Sequence, residues 1–183
     1  ILSLKKKKIV HLNSIVSFLR NIRKLHRVLG LSICLLVIIS ATTGILLSYK
    51  KQAEWIQPPT QYGTSSQTEL FISIDSIHEI GIKQVIGLKN PVTIHRIDIR
   101  PEKGIAKILY EDANWEMQID IITGKVLSQK ARYSDLIERI HDGSFISEGF
   151  KIGSMTYLGL GLLILTLSGL GLWYGPKVIR NKK

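Results

Sequence analysis

The stretch VLGLSICLLVIISATTGILL, Val28 to Leu47, carries no charged residue, and neither does MTYLGLGLLILTLSGLGLWY, Met155 to Tyr174. Each is about twenty residues long, and at about 1.5 Å per residue each crosses a hydrocarbon core of about 30 Å. Two such stretches in a chain of 183 residues that is 45% hydrophobic and carries a formal charge of +11 point to a membrane rather than to a soluble or disordered protein.

Working outward, all 14 acidic residues, from Glu54 to Glu148, lie between the two stretches. Upstream of the first sit Lys5, Lys6, Lys7, Lys8, Arg20, Arg23, Lys24 and Arg27, and beyond the second sit Lys177, Arg180, Lys182 and Lys183. By the positive-inside rule both termini are expected in the cytoplasm and the central segment in the periplasm of a bacterial inner membrane. The central segment is close to neutral, so the basic excess is a topology signal and no nucleic acid partner is expected. The first apolar stretch exceeds the roughly 7–15 residues of a secretory signal and reads as an uncleaved anchor. Cys34, the only cysteine, lies inside it, which rules out an intrachain disulfide and suits a small packing residue.

The expected division is a basic tail and interfacial helix over 1–27, a first span over 28–49, a linker over 50–69 and an α+β domain over 70–142. A re-entry segment over 143–153, a second span over 154–175 and a basic tail over 176–183 complete it. Leu12, Ile15, Val16, Leu19, Ile22 and Leu25 recur at helical spacing, which predicts an amphipathic helix lying on the anionic leaflet before the chain turns into the membrane, or docking on a partner subunit. Pro58-Pro59 and the polar run from Tyr62 to Thr68 read as a linker that holds the domain clear of the lipid. Ile74, Ile77, Ile80 and Ile82 predict a short helix with Ser73 as its cap.

Four strands are expected at Pro91 to Arg100, Gly104 to Tyr110, Trp115 to Ile122 and Lys125 to Gln129. In the third, Trp115, Met117, Ile119 and Ile121 alternate with Glu116, Gln118 and Asp120, which predicts one buried and one solvated face. Turns at Pro101 to Gly104, Asp112 to Asn114 and Thr123-Gly124 are short, so the strands should pair antiparallel beneath the helix. Tyr133 to Ile140 reads as a further helix. Gly30 and Gly44 in the first span and Gly161, Ser168 and Gly169 in the second mark faces built for close helix packing.

The pieces Leu25-His26-Arg27-Val28-Leu29-Gly30-Leu31, Thr43-Gly44-Ile45-Leu46-Leu47, Ile119-Asp120-Ile121-Ile122-Thr123-Gly124-Lys125-Val126-Leu127, Ile140-His141-Asp142-Gly143 and Leu167-Ser168-Gly169-Leu170-Gly171-Leu172-Trp173 occur in this order. Together they resemble the PepSY-associated transmembrane family, over residues from about 20 to 178. The resemblance implies a PepSY-like domain whose Asp-x-x-Thr-Gly-Lys-Val piece is a strand, turn and strand without catalytic duty. Larger members include inner-membrane reductases thought to release iron from siderophores with haem held by membrane histidines. The resemblance therefore implies haem b as the cofactor, with His26 and His141, which match the family's histidine positions, as axial ligands. This chain has only two spans and is much shorter, so an autonomous enzyme is not expected.

With His26 at one mouth of the first span and His141 before the second, a membrane thickness of about 30 Å separates them and they cannot share one haem. Each would need a histidine from a partner chain, and a homodimer would supply one pair at each face. Without haem, His26 and Arg27 would sit at the headgroups and His141 with Asp142 would close a turn. His11, His78 and His95 show no ligand spacing, and no nucleophile or phosphate loop is recognisable, so no catalytic residue and no metal beyond haem iron is expected. Three functions follow: a non-catalytic accessory subunit docking on other membrane proteins through its spans, a haem-binding electron carrier of reductive iron or siderophore use, and a domain that restrains a peptidase.

Overall fold

The computed structural model describes residues 2–87, 92–111 and 113–182, with side chains between residues 14 and 180. Pro91, where the first strand was to begin, and Asp112 of the second turn lie outside the described residues, as does the side chain of His11. The chain forms two compact units, one made of the residues up to Thr42 together with those from Asp142, the other of Thr43–His141.

The first unit is a pair of long helices. Helix α1 covers Leu2–Ser48 and α4 covers Glu148–Lys182. Leu19 lies against Gly175, the His26 ring against Gly169, Leu165 against Gly30, and Ile33 against Gly161. The numbers rise on one helix as they fall on the other, so the pair is antiparallel. The small residues serve that contact: a methyl group added at Gly161 would meet Ile33 at 3.1 Å. Tyr157 and Ser32 add a hydroxyl pair at 2.6 Å. Leu31, Leu35, Ile38, Leu163, Leu167 and Leu170 are exposed on both helices, which a soluble core helix would not tolerate and a lipid-facing one requires. The chain is a membrane protein.

The expected turn between interfacial helix and span does not occur. α1 continues unbroken from Leu2 to Ser48, roughly 70 Å at about 1.5 Å per residue. Ile15, Leu19, Ile22 and His26 are half-buried on one side of it. This stripe, predicted to lie on the leaflet, is instead covered at least in part by the far end of α4, where Leu19 meets Gly175. Nothing in the segment breaks a helix: it lacks both proline and glycine before Gly30.

The second unit is the α+β domain. After α1 come α2 (Ile74–Lys83), β1 (Ile94–Arg100), β2 (Ile105–Tyr110), β3 (Trp115–Asp120), β4 (Val126–Ala131) and α3 (Ser134–Asp142). The strands form an antiparallel sheet in sequential order, with Ile97 opposite Ile108 and Ile108 opposite Met117. Ser73 caps α2 by accepting the Ser76 N–H at 3.1 Å. Ile77 of α2 enters the core with Ala106, Ile108, Met117, Ile119 and Ile121, and the Tyr110 hydroxyl donates to the Gly81 carbonyl at 2.8 Å. A Cβ at Gly81 would strike Ile108, so glycine lets α2 approach the sheet.

The opposite face of the sheet is not solvated, contrary to the alternation reading. Glu116, Gln118 and Asp120 are all buried, as are Ile105, Lys107 and Leu109 of β2. Part of the cover is the stretch read as a linker. Ile56 is fully buried and its carbonyl accepts the N–H groups of Tyr133 and Ser134. The Pro59 carbonyl accepts from Gln118 at 3.0 Å, and the Gln118 carbonyl oxygen accepts the Gln61 N–H at 2.8 Å. Gly63 then donates to the Lys103 carbonyl and passes so close to Gly104 that a Cβ would collide with the backbone. Residues 56–64 are therefore a strap on the sheet. Its polar backbone is what the alternating polar side chains of β3 bind.

Beneath the strap lies a buried charge cluster. Glu116 takes Lys107 Nζ at 3.1 Å and Arg132 Nη1 at 2.5 Å on its two oxygens, and Arg132 also reaches Asp135 at 3.0 Å. Burial pushes the Lys107 ammonium below its ordinary pKa, opposed by Glu116, whereas Glu116 and Asp135 outweigh burial and raise that of Arg132.

Candidate histidine sites

His26 stands half-buried on α1 and its Nδ1 lies 2.7 Å from Ser168 Oγ of α4. Ser168 donates its own hydroxyl proton to the Leu165 carbonyl at 3.0 Å, one turn back along α4. With its proton given to the Leu165 carbonyl, the Ser168 oxygen is free to accept an Nδ1–H from His26. In that tautomer Nε2 keeps its lone pair, and it forms no hydrogen bond to a described residue. The ring edge lies beside Gly169, where a Cβ would sit 3.6 Å from Cε1.

His141 repeats the pattern in the other unit. Its Nδ1 is 2.9 Å from the hydroxyl of buried Thr43 on α1, and its Cε1 would lie 3.4 Å from a Cβ at Gly44. Each histidine thus rests on a hydroxyl residue followed by glycine, Ser168-Gly169 for one and Thr43-Gly44 for the other. The hydroxyl fixes the ring and the glycine makes room for its edge. Residues 26 and 43 both lie on α1, with roughly 25 Å of helix between them at about 1.5 Å per residue.

The residues after His141 shape its turn. Asp142 accepts the Ser144 N–H at 2.9 Å and pairs with Lys151 at 3.0 Å. Burial opposes ionisation there, but these contacts prevail and hold the carboxyl at about 2. Gly143 takes a left-handed φ of 82°, which a side chain would resist.

The structure places the sequence-predicted packing residues as follows. Gly30, Gly161, Ser168 and Gly169 meet the opposite helix, and Gly44 meets His141. His78 and His95 are exposed, and among the described residues no group of three or more His, Cys, Asp or Glu could hold a metal ion. The hydroxyl partners were not foreseen. The repeated hydroxyl-glycine pair in the two spans was the signal that could have found them.

The sequence model described as PepSY-associated TM region matches residues 23–182. The chain belongs to that family. The matched part of this PepSY-associated chain contains both histidines with both hydroxyl-glycine pairs, and it runs through the whole α+β domain. No curated protein and no solved structure matches the chain.

The Asp120 piece that carried the resemblance has a structural task. Asp120 accepts the N–H groups of Ile122 and Thr123 at 2.8 and 3.1 Å, closing the turn, and the N–H of Thr64 at 2.8 Å, fastening the strap. Burial works against the charge, yet with the Thr64 hydroxyl these donors hold the carboxyl at about 2.

Proposed function

We propose that this PepSY-associated chain is an accessory membrane subunit that lends one imidazole at each membrane face to haem shared with another chain. The supporting observation is the chain of contacts at His26, with Nδ1 2.7 Å from Ser168 Oγ and that oxygen 3.0 Å from the Leu165 carbonyl, an order that suits an Nδ1–H and leaves Nε2 for a metal. An imidazole bonded through Nδ1 and bare at Nε2 is what an axial ligand must be, and a partner at Nδ1 increases its basicity. The donor set fits haem iron.

Haem bound there would supply a one-electron carrier. Everything else is done by the chain: Ser168 and Thr43 orient the rings. Since neither His26 nor His141 has a second described histidine beside it, the second ligand comes from another copy or from a larger membrane subunit. With the basic flanks in the cytoplasm, the His26 site lies at the inner face and the His141 site at the periplasmic face of the bacterial inner membrane. Such a pair would pass electrons outward, as reductive use of iron or siderophores requires.

Titrating hemin into the full chain in lipid nanodiscs tests this. Saturable binding is expected, with about half the sites lost in either His26→Ala or His141→Ala and all of them in the double variant. If the double variant binds as the wild type does, the histidines are not ligands, and a docking role without haem takes their place.

A further inference from the structure

At the end of the helix pair where α1 is still outside the apolar run, the two helices leave a groove of about 460 Å³. Val16 and Leu19 of α1 and Pro176 and Ile179 of α4 form its apolar lining. Arg20, Arg23 and Arg180 form the rest. We propose that this groove binds an anionic membrane phospholipid, its phosphate on the arginines and its glycerol backbone and first methylenes on the apolar lining.

Charge is the first reason. No acidic residue occurs before Glu54 or after Glu148, so neither helix can offer these arginines a carboxylate near the groove. None of the three forms an ion pair among the described residues. Three guanidiniums converging on one cleft repel one another unless an anion joins them, and a phosphate diester accepts their fork-shaped donors.

Depth is the second. Counting about 1.5 Å per residue, Arg20 and Arg23 lie roughly 7–12 Å before Val28 on α1 and Arg180 about 9 Å past Tyr174 on α4, and because Leu19 meets Gly175 the groove stands at the very end of the apolar run of α4, where hydrocarbon gives way to headgroups. A basic cleft between helices at that level favours lipid headgroups over dissolved anions. The apolar lining has no use for free phosphate.

The sequence explains why a cleft forms here. Proline at 176 has no N–H to give to the carbonyl four residues back and fixes its own φ within α4, while Gly175 brings the helix close to Leu19 just before it. The arginines then stand on exposed positions flanking the half-buried Leu19 and Ile179.

The test is native mass spectrometry of the full chain released from micelles holding equal phosphatidylglycerol and phosphatidylcholine. Retention of phosphatidylglycerol at least about tenfold over phosphatidylcholine is expected, falling about fivefold for each of Arg20→Gln, Arg23→Gln and Arg180→Gln. As controls, Lys24→Gln and Arg27→Gln each remove one charge at described positions that do not line the groove, and each should keep retention within about twofold. Equal loss in those controls would overturn the proposal in favour of diffuse attraction. So would displacement of the lipid by inorganic phosphate, which would make the groove a site for a free anion, or the absence of any headgroup preference.

Discussion

A single proton decides what His26 can do. Because the Ser168 hydroxyl is committed to the Leu165 carbonyl, replacing Ser168 by alanine removes the acceptor for Nδ1–H without touching Nε2. Ser168→Ala should weaken haem affinity by about 10–100-fold while leaving the helix pair folded, as read by hemin titration beside circular dichroism. At Asp120 the relevant quantity is a carboxyl held at about 2 against an ordinary 3.8. Its folded pKa is depressed, so its contribution of about 2 kcal/mol is complete above pH 4 and disappears as pH falls toward 2. Acid unfolding of the domain, followed by fluorescence, should lose its steepness in that window in Asp120→Asn, which should also be the less stable protein at pH 7. Both histidines were visible in the sequence as residues at span ends. Their hydroxyl partners were not, because Thr43 and Ser168 lie far from them along the chain and serine and threonine are ordinary in packed membrane helices.

Among the elements, the strap and the sheet face beneath it depart most from expectation. Alternation in β3 correctly separated two sets of side chains but could not say that the polar set was covered. Proline and polar residues between 58 and 68 look the same in a loose linker and in a strap whose backbone is read by Gln118 and Asp120. The cue lay across the sheet, in Lys107 of β2 and Glu116 of β3, opposite charges on neighbouring strands that otherwise carry core residues, with Arg132 just past the end of β4. Since Lys107 is buried and relies on Glu116, Glu116→Ala should destabilise the domain by about 3–5 kcal/mol in chemical unfolding, much more than the removal of the exposed Glu79 that pairs with Lys83. A fragment from residue 66 to 141 lacks the strap and should show poorly dispersed amide resonances, whereas one from residue 53 to 141 should fold. Equal dispersion in the two would show that the strap is dispensable. The four strands, α2 and its serine cap were legible because each rests on local chemistry: alternating apolar side chains, short turns and one hydroxyl accepting from Ser76.

The whole molecule is a membrane helix pair with a PepSY-associated α+β domain between its spans. Charge asymmetry made this architecture readable, since acids confined between two uncharged stretches leave few other arrangements. What the sequence could not convey is that α1 continues unbroken past the expected bend, with Leu19 of its apolar stripe packed against Gly175 of α4. Two imidazoles are set on hydroxyl-glycine steps, each with no hydrogen bond to a described residue on the side away from its hydroxyl, and under the proposal they are half-sites that another chain completes. The direct measurement is the reduced-minus-oxidised visible spectrum of the gently solubilised full chain, recorded beside the variant in which both histidines are alanine. The account predicts a sharp haem b difference spectrum in the wild type and none in the variant. A wild type that stays featureless after hemin is supplied, or a variant whose spectrum is unchanged, would contradict it.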